Sequence, residues 1–125
     1  MPHLARVFRA LADANRLRIV NILSQESLCV CDLQSVLGLA QPFISRHLAY
    51  LRKAGLVEFE REGPRVCYSL VSNTRFDQAL RSFLHEVFVL SADFQADLRR
   101  LRECRESGQL KSAVKDADQP GRKAA

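Results

Sequence analysis

A chain of 125 residues, 47% of them hydrophobic, can bury one core but is too short for several domains. Its formal net charge of +5 favours phosphate-bearing partners without demanding one. No run of about 18 apolar residues is present, which excludes a membrane-spanning helix. The first residues carry Arg6 and Arg9 where a secretory signal needs an apolar stretch, so a cytoplasmic location is expected. In that reducing compartment Cys29, Cys31, Cys67 and Cys104 read as thiols, metal ligands or redox sensors rather than structural disulfides.

Leu4, Val7, Phe8 and Leu11 keep helical spacing and predict a first amphipathic helix over 3–13. Asp13 and Asn15 offer cap chemistry for a second helix over 15–24. Its wide apolar face, Leu17, Ile19, Val20, Ile22 and Leu23, suits the centre of a core. Residues 28–30 are expected to be extended. A third helix begins near Cys31, with Asp32 in its first turn, where a carboxylate suits the helix dipole, and ends at Gly38. After the tight turn Gly38-Leu39-Ala40, a fourth helix runs from Gln41 to Gly55 with Pro42 in its first turn. Strands over 56–61 and 65–71 flank Gly63-Pro64 and predict a hairpin with Arg61 and Arg65 near its tip. Phe76, Leu80, Phe83, Val87, Leu90, Phe94, Leu98 and Leu101 recur in steps of three and four. That pattern predicts one long helix whose apolar seam is a subunit interface. Residues 108–125 turn polar and small and are expected to form a flexible tail behind a domain spanning 1–107.

The fold class that follows is mostly α with a small β-hairpin, a winged helix-turn-helix in the order ααααββα. The third and fourth helices form the reading pair, the second of which enters the major groove, and the hairpin is the wing. With Ile44, Leu48 and Leu51 facing the core, Gln41, Ser45, Ala49 and Arg52 share one outward flank. Arg46 and Lys53 lie beside it. Glutamine suits adenine edges, arginine suits guanine or phosphate, and alanine permits close approach. Taken singly, these are ordinary residues of a solvated helix. As a set at the start of a recognition helix they point to DNA. His47 falls nearer the core and takes a phosphate-contacting or packing role. Arg61 and Arg65, diluted by Glu58, Glu60 and Glu62, suit phosphate contact rather than base readout.

The stretches Leu28-Cys29-Val30-Cys31-Asp32-Leu33, Gln41-Pro42-Phe43-Ile44-Ser45-Arg46-His47-Leu48 and Leu51-Arg52-Lys53-Ala54-Gly55-Leu56-Val57 closely resemble the ArsR/SmtB family of metal-responsive repressors, in its arsenic-sensing branch. The run Phe8 to Asp13 and the run Asn15 to Ile19 also fit, so the likeness covers about residues 4–105. The resemblance implies a homodimer joined by its first and last helices. It implies operator binding without inducer and release with it, and control of an arsenic detoxification operon. It puts DNA contacts at Gln41, Ser45 and Arg46, in agreement with the helical wheel. The best-known family pattern carries a third cysteine three residues after the second. Here that position is Gln34, whose amide is a poor ligand for a thiophilic centre.

Trivalent arsenic, as arsenite or methylarsenite, with antimonite as a further option, favours sulfur ligands on grounds of softness. Cys29 and Cys31 are the candidate ligands. In an extended segment their sulfurs start about two strand rises, roughly 7 Å, apart. Chelation is then expected to bend the backbone where the third helix starts. Cys31 is expected at the N-cap with a lowered pKa, and Gln34 at the third helical position of a capping box. Three completions of the site are open: two thiolates with solvent, a small thiol or a methyl group; Cys67; or Cys104 reaching a partner subunit's third helix. The two-thiolate form is preferred. His85, Glu86, Asp93 and Asp97 lack the paired arrangement of a zinc site on the last helix, and His3 has no identifiable partner. A thiol-redox-responsive repressor using Cys29 is the alternative function. A dithiol oxidoreductase is disfavoured, because no thioredoxin-like βαβ pattern accompanies the cysteines.

Overall fold

The computed structural model of the chain describes residues 4–112. Six helices and a three-stranded antiparallel sheet follow one another as α1 (Leu4–Leu11), α2 (Ala14–Leu23), β1 (Leu28–Cys29), α3 (Val30–Leu37), α4 (Gln41–Lys53), β2 (Val57–Glu62), β3 (Arg65–Leu70), α5 (Arg75–Val89) and α6 (Ala92–Glu106). The first four helices and the hairpin lie where their spacing predicts, with ends shifted by a residue or two. Asp13 caps α2 by accepting the Arg16 backbone N–H at 3.0 Å. That satisfies one of the donors a helix start leaves unpaired.

Helix α2 is the centre of the core. Ile19, Val20, Ile22 and Leu23 are buried, together with Leu28, Leu33, Val36, Ile44, Leu48 and Leu51 from the elements around it. Burial of one such side chain contributes about 1.5–3 kcal/mol, which fixes the roll of α3 and α4 about their axes. Gly38 ends α3 with φ of 69°, and its N–H bonds the Gln34 carbonyl at 2.8 Å. A side chain would be strained in that left-handed conformation, so glycine sets the turn between α3 and α4. In the wing, Glu62 pairs with Arg65 across Gly63-Pro64, and Gly63 has φ of 63°, as a type II′ hairpin turn requires.

Two features depart from the expected architecture. The seam over 76–101 is not one helix. It breaks at Leu90 and Ser91, where Ser91 is extended and begins α6. The spacing persisted because both helices bury a face against the same α2 layer. The break turns α6 back to lie on α2 and α3, an interior use for what was expected to be a continuous subunit seam. The sheet also gains a strand: β1 pairs with β3, giving the order β1-β3-β2.

Helix α6 is tied to the body by polar contacts as well as packing. Asp97, 3% exposed, accepts both Nε and an Nη of Arg18, at 2.8 and 3.1 Å, and also binds Arg100. Arg100 donates to the Val36 carbonyl at 2.7 Å and Arg18 to that of Leu37 at 3.3 Å. The unpaired carbonyls at the C-terminal end of α3 are thus met by two cations held on one buried carboxylate. Asn21, also buried, donates to the Phe94 carbonyl at 2.9 Å.

Candidate nucleic-acid interface and thiol site

The outward side of α4 carries the expected set. Gln41, Arg46, Ala49, Arg52 and Lys53 are exposed and Ser45 is half-buried. Gln41 donates its amide to the Ser45 hydroxyl at 2.9 Å, so the two present one preorganised polar edge. Arg46 lies over the Phe43 ring at 5.2 Å. Arg52 lies over the Phe59 ring of β2 at 4.4 Å, joining the recognition helix to the wing. Arg61 and Arg65 are exposed at the two sides of the wing tip.

His47 is half-buried. It stacks on Phe43 with ring centroids 5.7 Å apart, and its Nδ1 lies 3.5 Å from Arg16. Arg16 also donates to the Ala10 carbonyl at 2.7 Å and covers the Tyr50 ring at 4.0 Å. Arg16 therefore locks the α1–α2 corner to α4. Nothing in the local spacing singles it out, because its partners come from two other helices, α1 and α4.

The thiol motif lies at the start of α3, and its geometry differs from expectation at four points. The N-cap is Cys29, not Cys31, so Asp32 rather than Gln34 occupies the third helical position. The sulfurs of Cys29 and Cys31 are already 3.0 Å apart, because the chain passes from strand to helix between them. No bending of the backbone is needed to bring them together. The Cys31 thiol is not acidified. Burial of its sulfur, then the neighbouring Cys29 sulfur and the Asp32 carboxylate, push its pKa up to about 11. Cys29 is buried and Cys31 is exposed, so the pair is open to solvent on the Cys31 side.

The fourth difference concerns the segment beyond α6. Gly108 was expected to begin a flexible tail, yet the residues up to Ser112 return to the start of α3, and Ser112 is 6% exposed. Asp32, itself buried, accepts the backbone N–H of Lys111 at 2.6 Å and of Ser112 at 2.8 Å, as well as the Ser112 hydroxyl. The Ser112 hydroxyl in turn accepts the Cys29 backbone N–H at 3.0 Å. Arg105 of α6 donates to the Ser112 carbonyl at 3.0 Å and pairs with Glu26. Burial would raise the Asp32 carboxyl, but the donors from Lys111 and Ser112 outweigh it and hold its pKa below the usual value. The remaining tail, 113–125, and His3 lie outside the described residues.

Among the described residues, Cys29, Cys31 and Asp32 place ligand atoms within 4.8 Å of one another. Cys67 is buried directly opposite Cys29 in the β1–β3 ladder. Burial raises its pKa, and the Cys29 sulfur adds to this. Cys104 is buried in the chain's own core in the same cluster as Leu101. Of the acidic and imidazole groups considered for zinc, His85 is exposed and Asp97 is engaged by its arginines.

A recognition helix with a short polar flank, a buttressing first helix and a hairpin wing with an arginine on each side of its tip define a winged helix-turn-helix transcription regulator. Residues 13–58 match the family described as bacterial regulatory protein, arsR family. The arsenic resistance transcriptional regulator ArsR1 of Pseudomonas putida is 49% identical over 65 residues, 51% of each chain. A cadmium resistance regulatory protein CadC homolog of Staphylococcus aureus is 36% identical over 88 residues, 70% of this chain and 73% of that one. The solved structure of HlyU from Vibrio cholerae N16961, known also in a reduced form, superposes with TM-score 0.63 at 34% identity, covering 70% of this chain and 94% of that one. This protein belongs to the ArsR family of transcription regulators. It spans about half the length of the first curated relatives it matches.

Proposed function

We propose that the chain is an arsenic-responsive repressor, a cytoplasmic homodimer that holds operator DNA through α4 and the wing and releases it when arsenite or a methylated trivalent arsenical binds Cys29 and Cys31. The single observation that carries this reading is the 3.0 Å approach of the two sulfurs at the first turn of the helix that supports the recognition helix. Two converged thiols suit a soft trivalent centre. Their place puts any ligand-driven movement one turn-helix unit away from Gln41, Ser45 and Arg46. The regulators similar to this chain respond, by name, to arsenic in one case and cadmium in another. Arsenic is preferred here because the pair lies in a Cys-Val-Cys-Asp-Leu element.

Dimerisation is supported by apolar side chains left uncovered on α1 and α5. Phe8 is 50% exposed, Phe83 56% and Leu90 86%, alongside Leu4 and Val87. An apolar surface of this kind in a small protein marks an association face. In the single chain the uncovered side chains lie on α1 and along α5 to Leu90, while the apolar face of α6 packs on α2 and α3. In this reading residues 1–107 carry DNA binding and dimerisation, with the segment after them acting on the thiol site.

The test is fluorescence anisotropy of the chain's own promoter DNA under reducing conditions. Wild type should bind without arsenite and release with it, while Cys29→Ser should bind equally well and not release. Induction that survives in Cys29→Ser, or operator affinity that is indifferent to arsenite, rejects the proposal. The second reading is redox response. It is favoured by the close sulfurs and by Cys67 opposite Cys29, and it predicts release by a mild oxidant but not by arsenite.

A further inference from the structure

Antiparallel ladders alternate between pairs that exchange hydrogen bonds and pairs that do not. Cys29 opposes Cys67, but its N–H goes to the Ser112 hydroxyl. The two cysteines therefore form a pair of the second kind, whose Cα atoms lie about 4.5 Å apart with both side chains on one face. Cys31 reaches Cys29 from the helix side. Three thiols thus surround the end of β1. The Ser112 hydroxyl stands beside them, donating to Asp32 and accepting the Cys29 N–H. Cys67 is outside the tight group made by Cys29, Cys31 and Asp32, so a turn about its Cα–Cβ bond must accompany its use.

We propose that Cys67 is the third sulfur of the inducer site, and that closing the three thiols on the inducer expels Ser112 and frees the 109–112 segment from Asp32. The inference rests on the arsenic reading above and supplies the ligand that Gln34 cannot. It replaces the two-thiolate completion preferred from sequence. It also replaces backbone bending as the coupling, since the sulfurs of Cys29 and Cys31 have already met. The chemistry is an exchange without redox change. Three As–O bonds of arsenous acid and three S–H bonds break, three As–S bonds form, three waters leave, and arsenic stays trivalent. A methylated or arylated arsenical has two exchangeable hydroxyls and needs Cys29 and Cys31 alone. The start of α3 then loses Lys111 and Ser112, which now satisfy Asp32, while its far end stays clamped by Arg18 and Arg100.

The experiment uses the reduced full-length chain as wild type, Cys67→Ala and Cys104→Ala, each with sodium arsenite and with phenylarsine oxide. Native mass spectrometry reads how many hydroxyls the arsenic keeps. Trypsin cleavage after Lys111 reads release of the segment. Wild type and Cys104→Ala should bind arsenite with every hydroxyl gone and be cut faster after Lys111. Cys67→Ala should keep one hydroxyl or take up a small thiol, and bind arsenite at least about tenfold more weakly, the equivalent of 1.4 kcal/mol. Its phenylarsine binding should be unchanged, which also shows that it is folded. The proposal is overturned if wild-type adducts retain a hydroxyl, if Cys104→Ala rather than Cys67→Ala changes the count, or if arsenite leaves cleavage after Lys111 unaltered. In those cases the arsenic reading survives. Failure of wild type to bind either arsenical removes both.

Discussion

The two ends of α3 are held by the same body in different ways. At the C-terminal end Arg18 and Arg100 bind the Val36 and Leu37 carbonyls, and both are anchored on the buried Asp97. At the N-terminal end Asp32 is satisfied by two backbone N–H groups and a serine hydroxyl from a short segment beyond α6. The first clamp joins full charges on neighbouring helices and offers a thiophile nothing to attack. The second is made of neutral donors, and its serine stands among cysteines. The difference teaches where a small ligand can act: one end of the supporting helix is permanently fixed, and the other is fixed only while sulfur chemistry leaves Ser112 in place.

Breaking the permanent clamp should have the largest effect. Asp97→Ala leaves Arg18 and Arg100 without their buried counter-charge and should lower stability by about 3–5 kcal/mol in urea unfolding. A loss below about 1 kcal/mol would reduce this clamp to a surface ion pair. On the reading side, Arg46→Ala should weaken operator binding by about 1–3 kcal/mol if Arg46 reads a base, with the loss confined to the cognate sequence. An equal loss on unrelated DNA would make it a phosphate contact. Ser112→Ala removes a hydroxyl from the labile end and should reduce stability by only about 1 kcal/mol, while lowering the arsenite concentration needed for release. A rise in that concentration would contradict the displacement of Ser112.

The smallest expected effect is that of pH. Cys31, with its pKa up at about 11 against an ordinary 9.0, is protonated in folded and unfolded chains alike at neutral pH. Its stabilising effect is present below the unfolded value and is lost only as pH rises through the folded one. Exchange with arsenous acid returns its thiol protons as water, so arsenite affinity should be flat between about pH 6 and about pH 8, whereas cadmium must expel protons and should bind tighter as pH rises. Asp32 has the opposite sign. Its folded pKa is depressed, so its hold on Lys111 and Ser112 is complete above the ordinary carboxylate value of 3.8 and fails only as pH falls through the lower folded one. Isothermal titration of both ions across that range checks the contrast.

The local parts of this arrangement are legible in the sequence. The polar flank of α4 follows from helical spacing around Ile44, Leu48 and Leu51, and the Cys29–Cys31 motif is visible as residues. The rest depends on contacts between distant positions. Asp32 meets Ser112, Arg18 meets Asp97, and Cys29 meets Cys67 through the pairing of a two-residue strand too short to announce itself. The break at Ser91 had a local signal, a serine followed by Asp93 in a first turn. The apolar repeat across it was stronger, because a repeat reports a buried face and not the continuity of the helix that carries it.

Amide hydrogen exchange on the chain with and without one equivalent of arsenite, in the sample whose operator binding is followed, measures the central claim directly. The account predicts faster exchange at Lys111, Ser112 and the first turn of α3, unchanged protection in α4 and at the Arg18–Asp97–Arg100 clamp, and a parallel fall in DNA binding. Full protection at Lys111 and Ser112 in arsenite-bound protein that has released its DNA would contradict it.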